Sequence, residues 1–198
     1  MVKWLSYFVF VMLNLFQHPT LDAQNTKIDS LKSLLKTDIE DTNKVDHLNS
    51  LAWQLRMIER ERAIKYLTEA IELAKKINFQ KGIAYACFTL GSLHSNQNNY
   101  PQALQYYAGA LKIYEATGNK KGISATLSNF GIVYMEQADY LKALDYYFRS
   151  LKIKEEIGDE KGIANTFGNI GNVYNVQADY PKALDYYHQS LKITEVIN

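Results

Sequence analysis

An all-α solenoid of stacked helix pairs is the fold class this sequence predicts, and three observations predict it. The phrase "QADYLKALDYYFRSLKI" at 137–153 returns as "QADYPKALDYYHQSLKI" at 177–193. Blocks beginning at Asp41, Lys81, Lys121 and Lys161 align without gaps, and the last two agree at roughly two-thirds of positions, a fixed period far above chance. Within each block, apolar residues recur at intervals of three and four, the spacing of one helical face. Leu127, Phe130, Val133 and Tyr134 form one such stripe, and Ala143, Leu144, Tyr147, Leu151 and Ile153 form a second. Short polar stretches, "MEQAD" between stripes and "GDEKG" between blocks, divide each unit into two helices.

Taken in order, the chain opens on Lys3 and an apolar run from Trp4 to Phe16. That run is shorter than the ~20 residues a bilayer span requires and has the length of a secretory core. Pro19 breaks it, and Leu21 and Ala23 stand at the −3 and −1 positions of a cleavage site. Residues 1–23 therefore read as an export signal, placing the mature chain in the periplasm or outside the cell. An uncleaved anchor or a buried core helix would use the same residues. No cysteine stands near the cut, which argues against lipid attachment there.

Residues 24–40 carry Ile28, Leu31, Leu34 and Leu35 at helical spacing and read as a capping helix. The array then occupies 41–198 as four units: a divergent one at 41–80, then 81–120, 121–160 and 161–198. Pro101 and Pro181 fall at the start of second helices, where a missing N–H costs nothing. Gly118, Gly158 and Asn198 stand just past second helices, where a terminating residue takes positive φ.

Small residues line up in columns. Gly91, Gly131 and Gly171 share one; Ala63, Ala103, Ala143 and Ala183 share another. A mid-helix glycine costs about 1 kcal/mol relative to alanine, so three in register require a packing reason. The expectation is that each glycine lets its helix sit against the alanine methyl of the second helix. In the first unit Leu51 replaces the glycine, and Leu67 stands where other units have an aromatic.

These columns, with Leu90, Phe130 and Ile170 before the glycines, Tyr134 and Tyr174 three positions after, Tyr107, Tyr147 and Tyr187 in the second helix, and the small Ala110, Ser150 and Ser190, resemble the tetratricopeptide repeat signature. The resemblance covers 41–198. It departs from the usual pattern in lacking a proline after the second helix and in each unit being about six residues longer than the standard 34, as in the long-repeat variety of exported regions in bacterial signalling proteins.

The resemblance implies a right-handed superhelix whose concave wall is lined by first helices. Carried over by column, the family's groove positions are Asn49, Thr89, Asn129 and Asn169 in one row. Val45, Tyr85, Ala125 and Asn165 form a second, and Ala52, Ser92, Ile132 and Asn172 a third. Asn49, Tyr85, Thr89, Asn129, Asn165, Asn169 and Asn172 are the binding candidates. Asparagines donate and accept, so a row of them suits an extended peptide backbone; their alternative role is to satisfy neighbouring helices. No groove position is basic, which argues against a clamp for a terminal carboxylate.

Chemistry is otherwise absent from the pattern. There is no Walker loop, nucleophile elbow or HExxH, and "GNIGNVYN" at 168–175 lies mid-helix without the strand a dinucleotide site needs. His94 occupies the column of Tyr134 and Tyr174 and reads as a core or groove-edge residue. A formal charge of +1 with interspersed signs gives no footprint for nucleic acid, and the single Cys87 excludes an intramolecular disulfide. The expectation is a non-enzymatic scaffold without cofactor that binds a protein or peptide in its groove. The alternative is the exported sensory or assembly region of a larger signalling protein, such as a sensor histidine kinase or nucleotide cyclase. The apolar face of the last helix (Leu184, Tyr187, Leu191) invites continued chain, self-association or a partner.

Overall fold

The computed structural model describes residues 24–197, so the export signal read at 1–23 and the positive φ expected at Asn198 lie outside the described residues. Every regular element among them is helical, and none of these helices is long and apolar enough to cross a membrane. The chain divides into two compact units, one reaching to Asn78 and one from Phe79 onward.

The first unit contains α1, helical over 24–35, then α2 (Thr42–Leu55) and α3 (Arg60–Lys76). Asp41 starts α2 by accepting hydrogen bonds from the main-chain N–H groups of Asn43 and Lys44 at 2.9 and 3.1 Å, which satisfies donors that the helix itself leaves open. Ile28 and Leu31 of α1 are buried, as are Val45, Leu48, Leu51 and Leu55 of α2 and Leu67 and Ala70 of α3.

In the second unit α4 (Gln80–Ser95), α5 (Tyr100–Ala116), α6 (Lys120–Glu136), α7 (Tyr140–Glu156), α8 (Glu160–Val176) and α9 (Tyr180–Ile197) begin at residues 80, 100, 120, 140, 160 and 180. One turn design explains that regularity. After α6, Ala138 takes φ of 59° and the Asp139 N–H reaches back to Tyr134 O at 2.9 Å. The closure is the helix-ending motif in which a left-handed residue lets the next amide satisfy an orphan carbonyl. Asp139 then caps α7 by accepting from Lys142 N at 3.2 Å. The same residue thus ends one helix and starts the next. Asn119 and Asp159 repeat the double role, each accepting from the N–H of a glycine three positions on, and Asp179 does so for α9. Gly118 and Gly158 have φ of 66° and 67°. Asn78, Asn98, Ala138 and Ala178 also have positive φ; the two alanines carry no sequence sign of it.

The glycine column has a different partner from the one the sequence pattern implied. A Cβ placed on Gly91, Gly131 or Gly171 would lie 2.5, 2.5 or 2.6 Å from the ring of Tyr107, Tyr147 or Tyr187. The aromatic of the second helix, not its alanine methyl, fills the space each glycine leaves. The reason is reach: the ring crosses the whole gap between the paired helices, whereas the alanines sit deeper. Ala103 and Ala143 belong to core clusters with Phe130 and Val133, and with Ile170 and Val173, from the following first helix. Ala63, Ala103, Ala143 and Ala183 are all buried. Gly122 makes a further close approach, to Tyr114, with 2.5 Å from a placed Cβ to the ring.

Candidate binding groove

Within the second unit, each first helix pairs with its own second helix and also touches the next first helix, so α4, α6 and α8 adjoin in series. Their outward residues form one wall. Tyr85 of α4 and Ile132 of α6 are 37% and 38% exposed, Asn165 and Asn172 of α8 are exposed, and Asn129 and Asn169 are half-buried. Column reasoning places two candidates wrongly. Thr89 is fully buried, and its hydroxyl donates to the Tyr85 carbonyl at 3.0 Å one turn back. Asn49, in the first unit, is 3% exposed, inside the α2 face that also buries Val45 and Ala52. In both cases the column assigns a direction, but neighbouring helices decide whether that direction meets solvent.

Asn172 is partly committed. Its Oδ1 accepts the Tyr187 hydroxyl proton at 2.8 Å, leaving its amide hydrogens for other use. The equivalent Tyr107 hydroxyl donates to Ser92 Oγ at 3.2 Å, and burial pushes that phenol up to about 12. Both hydroxyls thus act as donors that anchor groove-wall side chains.

His94 lies parallel to Tyr106, ring centres 5.4 Å apart, as Tyr134 and Tyr174 lie on Tyr146 and Tyr186. Burial holds its pKa below the ordinary histidine value.

Between α6, α7 and α8 runs a polar network that the repeat pattern did not disclose. Lys154 of α7 is 7% exposed, and its Nζ donates to Ser128 Oγ of α6 and Thr166 Oγ1 of α8, each at 2.8 Å. Thr166 passes its own proton to the Gly162 carbonyl at 2.8 Å. Ser150 donates to the Ser124 carbonyl at 2.7 Å, so in its 2.8 Å contact with Ser128 it accepts. Both hydroxyl chains thus turn their oxygens toward the amine and their protons away. Burial pushes the Lys154 pKa down, and Asp159 opposes this from a distance. Among the described residues no group of three or more His, Cys, Asp or Glu is placed to hold a metal.

The family model described as Tetratricopeptide repeat matches residues 83–156 and again 122–195. The chain belongs to the tetratricopeptide repeat family. No curated protein sequence matches it, but solved structures share its fold. BtubC from P. vanneervenii is 18% identical, with a TM-score of 0.74 over 94% of this chain and 77% of that one. Aspartyl phosphate phosphatase F from Bacillus subtilis is 17% identical, TM-score 0.80, over 94% of this chain and 49% of that one. A STAND signal-transduction ATPase with a tetratricopeptide repeat sensor, from Pyrococcus horikoshii, is 22% identical, TM-score 0.74, over 84% of this chain and 26% of that one. At these identities the likeness is one of fold. The tetratricopeptide architecture makes the chain a scaffold for protein interaction.

Proposed function

We propose that the chain is a non-enzymatic interaction module that binds an extended peptide or protein segment along the α4, α6 and α8 wall. The observation that carries this reading is the series of accessible or half-buried Asn129, Asn165, Asn169 and Asn172 on two adjoining helices, bordered by exposed Tyr85 and Ile132. Amides at a helical-repeat spacing bond main chain without demanding particular side chains, and the two apolar neighbours add contact area. Thr89 and Asn49, being buried, take no part. The test is selection of a random dodecapeptide phage library on the full chain. Selected peptides should bind about tenfold more weakly to Asn129→Ala/Asn169→Ala, with an unchanged thermal midpoint; unchanged affinity would remove the asparagines from the site.

A second reading makes the chain the exported sensory region of a larger signalling protein. Its support is the fold likeness to the STAND protein whose repeats are named a sensor. A natural reading frame running past Asn198 into an output domain would favour it. Export itself rests on residues 1–23 of the sequence. Met1 found intact on soluble cytoplasmic protein would defeat it.

A further inference from the structure

The network around Lys154 is not something the fold requires, because the preceding repeat builds the same place without it. Forty residues earlier, the counterparts of Ser124, Ser128, Ser150 and Lys154 are Ala84, Phe88, Ala110 and Tyr114. There Ala84, Ala110 and Tyr114 form an apolar core cluster with Phe88 packed on it. The two repeats share the positive-φ turns and the Gly91/Gly131 and Tyr107/Tyr147 columns, and their second helices are of equal length. Yet in the later one four apolar or aromatic positions have become three serines and a lysine. Replacing apolar core by a buried amine costs free energy unless the amine is paired, so the exchange points to a use outside folding.

The chemistry of that use follows from the arrangement. Two hydroxyl oxygens face Nζ; the Thr166 proton goes to the Gly162 carbonyl, and the Ser128 proton goes to Ser150 Oγ, whose own proton goes to the Ser124 carbonyl. The surroundings are poled to support a positive charge. No carboxylate among the described residues lies within ion-pair distance of Lys154; the nearest acidic influence is the more remote Asp159. The amine also bonds to two residues that adjoin the wall in sequence. Ser128 and Thr166, its two partners, directly precede and follow the wall residues Asn129 and Asn165. A charge held among low-polarity neighbours is screened much less than one in water, so an anion settling over this junction would feel it.

We propose that the α6–α8 junction above Lys154 is a carboxylate-reading station of the groove, where an Asp or Glu side chain of the bound segment is selected. The amide hydrogens of Asn129 and Asn165 would supply hydrogen bonds, and Lys154 the compensating charge. The proposal rests on the groove reading above and adds to it what the ligand must carry.

The experiment uses the same dodecapeptide library on the full chain, with two variants. Lys154→Tyr/Ser128→Phe/Ser124→Ala/Ser150→Ala copies the preceding repeat at all four positions and is expected to fold; Lys154→Met is the minimal change, and circular dichroism checks both. Peptides selected on the wild type should share an acidic residue. Changing it to Asn or Gln, or changing the protein to either variant, should weaken binding about tenfold to a hundredfold, and the two losses should not multiply. Peptides that bind, and are weakened by Asn129→Ala/Asn169→Ala, but show no acidic preference or no sensitivity to Lys154 would overturn this proposal and leave the groove reading standing. Failure to select any peptide sensitive to the asparagines would overturn both.

Discussion

The helix pair α2–α3 and the pair α6–α7 solve one packing problem in opposite ways. In α6–α7 the first helix contributes Gly131 and the second contributes Tyr147, whose ring occupies the space a Cβ would need. In α2–α3 the same two columns hold Leu51 and Leu67, both fully buried. The two solutions contain the same number of side-chain heavy atoms, shared evenly in one pair and given wholly to the second helix in the other. The glycine is therefore not a point of flexibility. It is half of a two-residue unit, and its meaning is fixed by the residue sixteen positions on.

The strongest test of that comparison is to mix the solutions. Gly131→Leu alone sets branched carbon against a buried ring and should cost about 3 kcal/mol. Adding Tyr147→Leu recreates the α2–α3 arrangement and should recover more than half of the loss, measured by urea unfolding. A double variant no more stable than Gly131→Leu would show that the columns do not share one space. A smaller effect is expected at the two turns that bound α7, which differ in residue. Ala138 holds φ of 59°, whereas Gly158 meets the same demand at 67°. An L-residue there is strained by about 1–2 kcal/mol, partly offset by the greater chain entropy of glycine. Ala138→Gly should therefore stabilise by about 0.5–1 kcal/mol and Gly158→Ala should destabilise by a similar amount. Equal stability of wild type and both variants would mean the turn tolerates the strain elsewhere.

The smallest effect separates the α4–α5 pair from its neighbours. His94 stacks where the later repeats have tyrosine, and burial lowers its pKa. Below about pH 6.5 the unfolded chain takes up a proton that the folded ring resists, so this group's contribution falls as the pH drops. Thermal midpoints between pH 7.5 and 5 should decline less in His94→Tyr than in the wild type. An identical decline would assign the acid sensitivity to other groups.

How much of this was legible in the residues follows the range of the interactions. The helix pairs, Pro101 and Pro181 in first turns, and the positive φ of Gly118 and Gly158 depend on neighbours a few positions away, and the periodic pattern carries them. Ala138 and Ala178 did not declare their turns, because alanine has no side chain that signals a left-handed backbone; the surrounding helices impose it. The glycine column is visible in the sequence but its aromatic partner is not, since a one-dimensional pattern gives phase around a helix and not depth. The groove was only partly legible for the same reason. Asn165 and Asn172 are exposed, while Thr89 and Asn49 share a column with Asn129 and lie buried. Lys154 escaped notice because a lysine among charged residues reads as a solvated face. Its partners, Ser128 and Thr166, lie on two other helices.

The ring of Tyr147 against Gly131 has one more effect, on solvent. A glycine in mid-helix ordinarily leaves its peptide groups open to water, and such a site is where a helix frays or exchanges its amide protons. Here an aromatic plate from the partner helix lies over that bare backbone and stays 2% exposed itself. Water is kept from the backbone at the very residue with the weakest helical preference. In amide exchange the segments around Gly91 and Gly131 belong with the slowly opening core, and the residue that appears to loosen the helix marks where it is sealed.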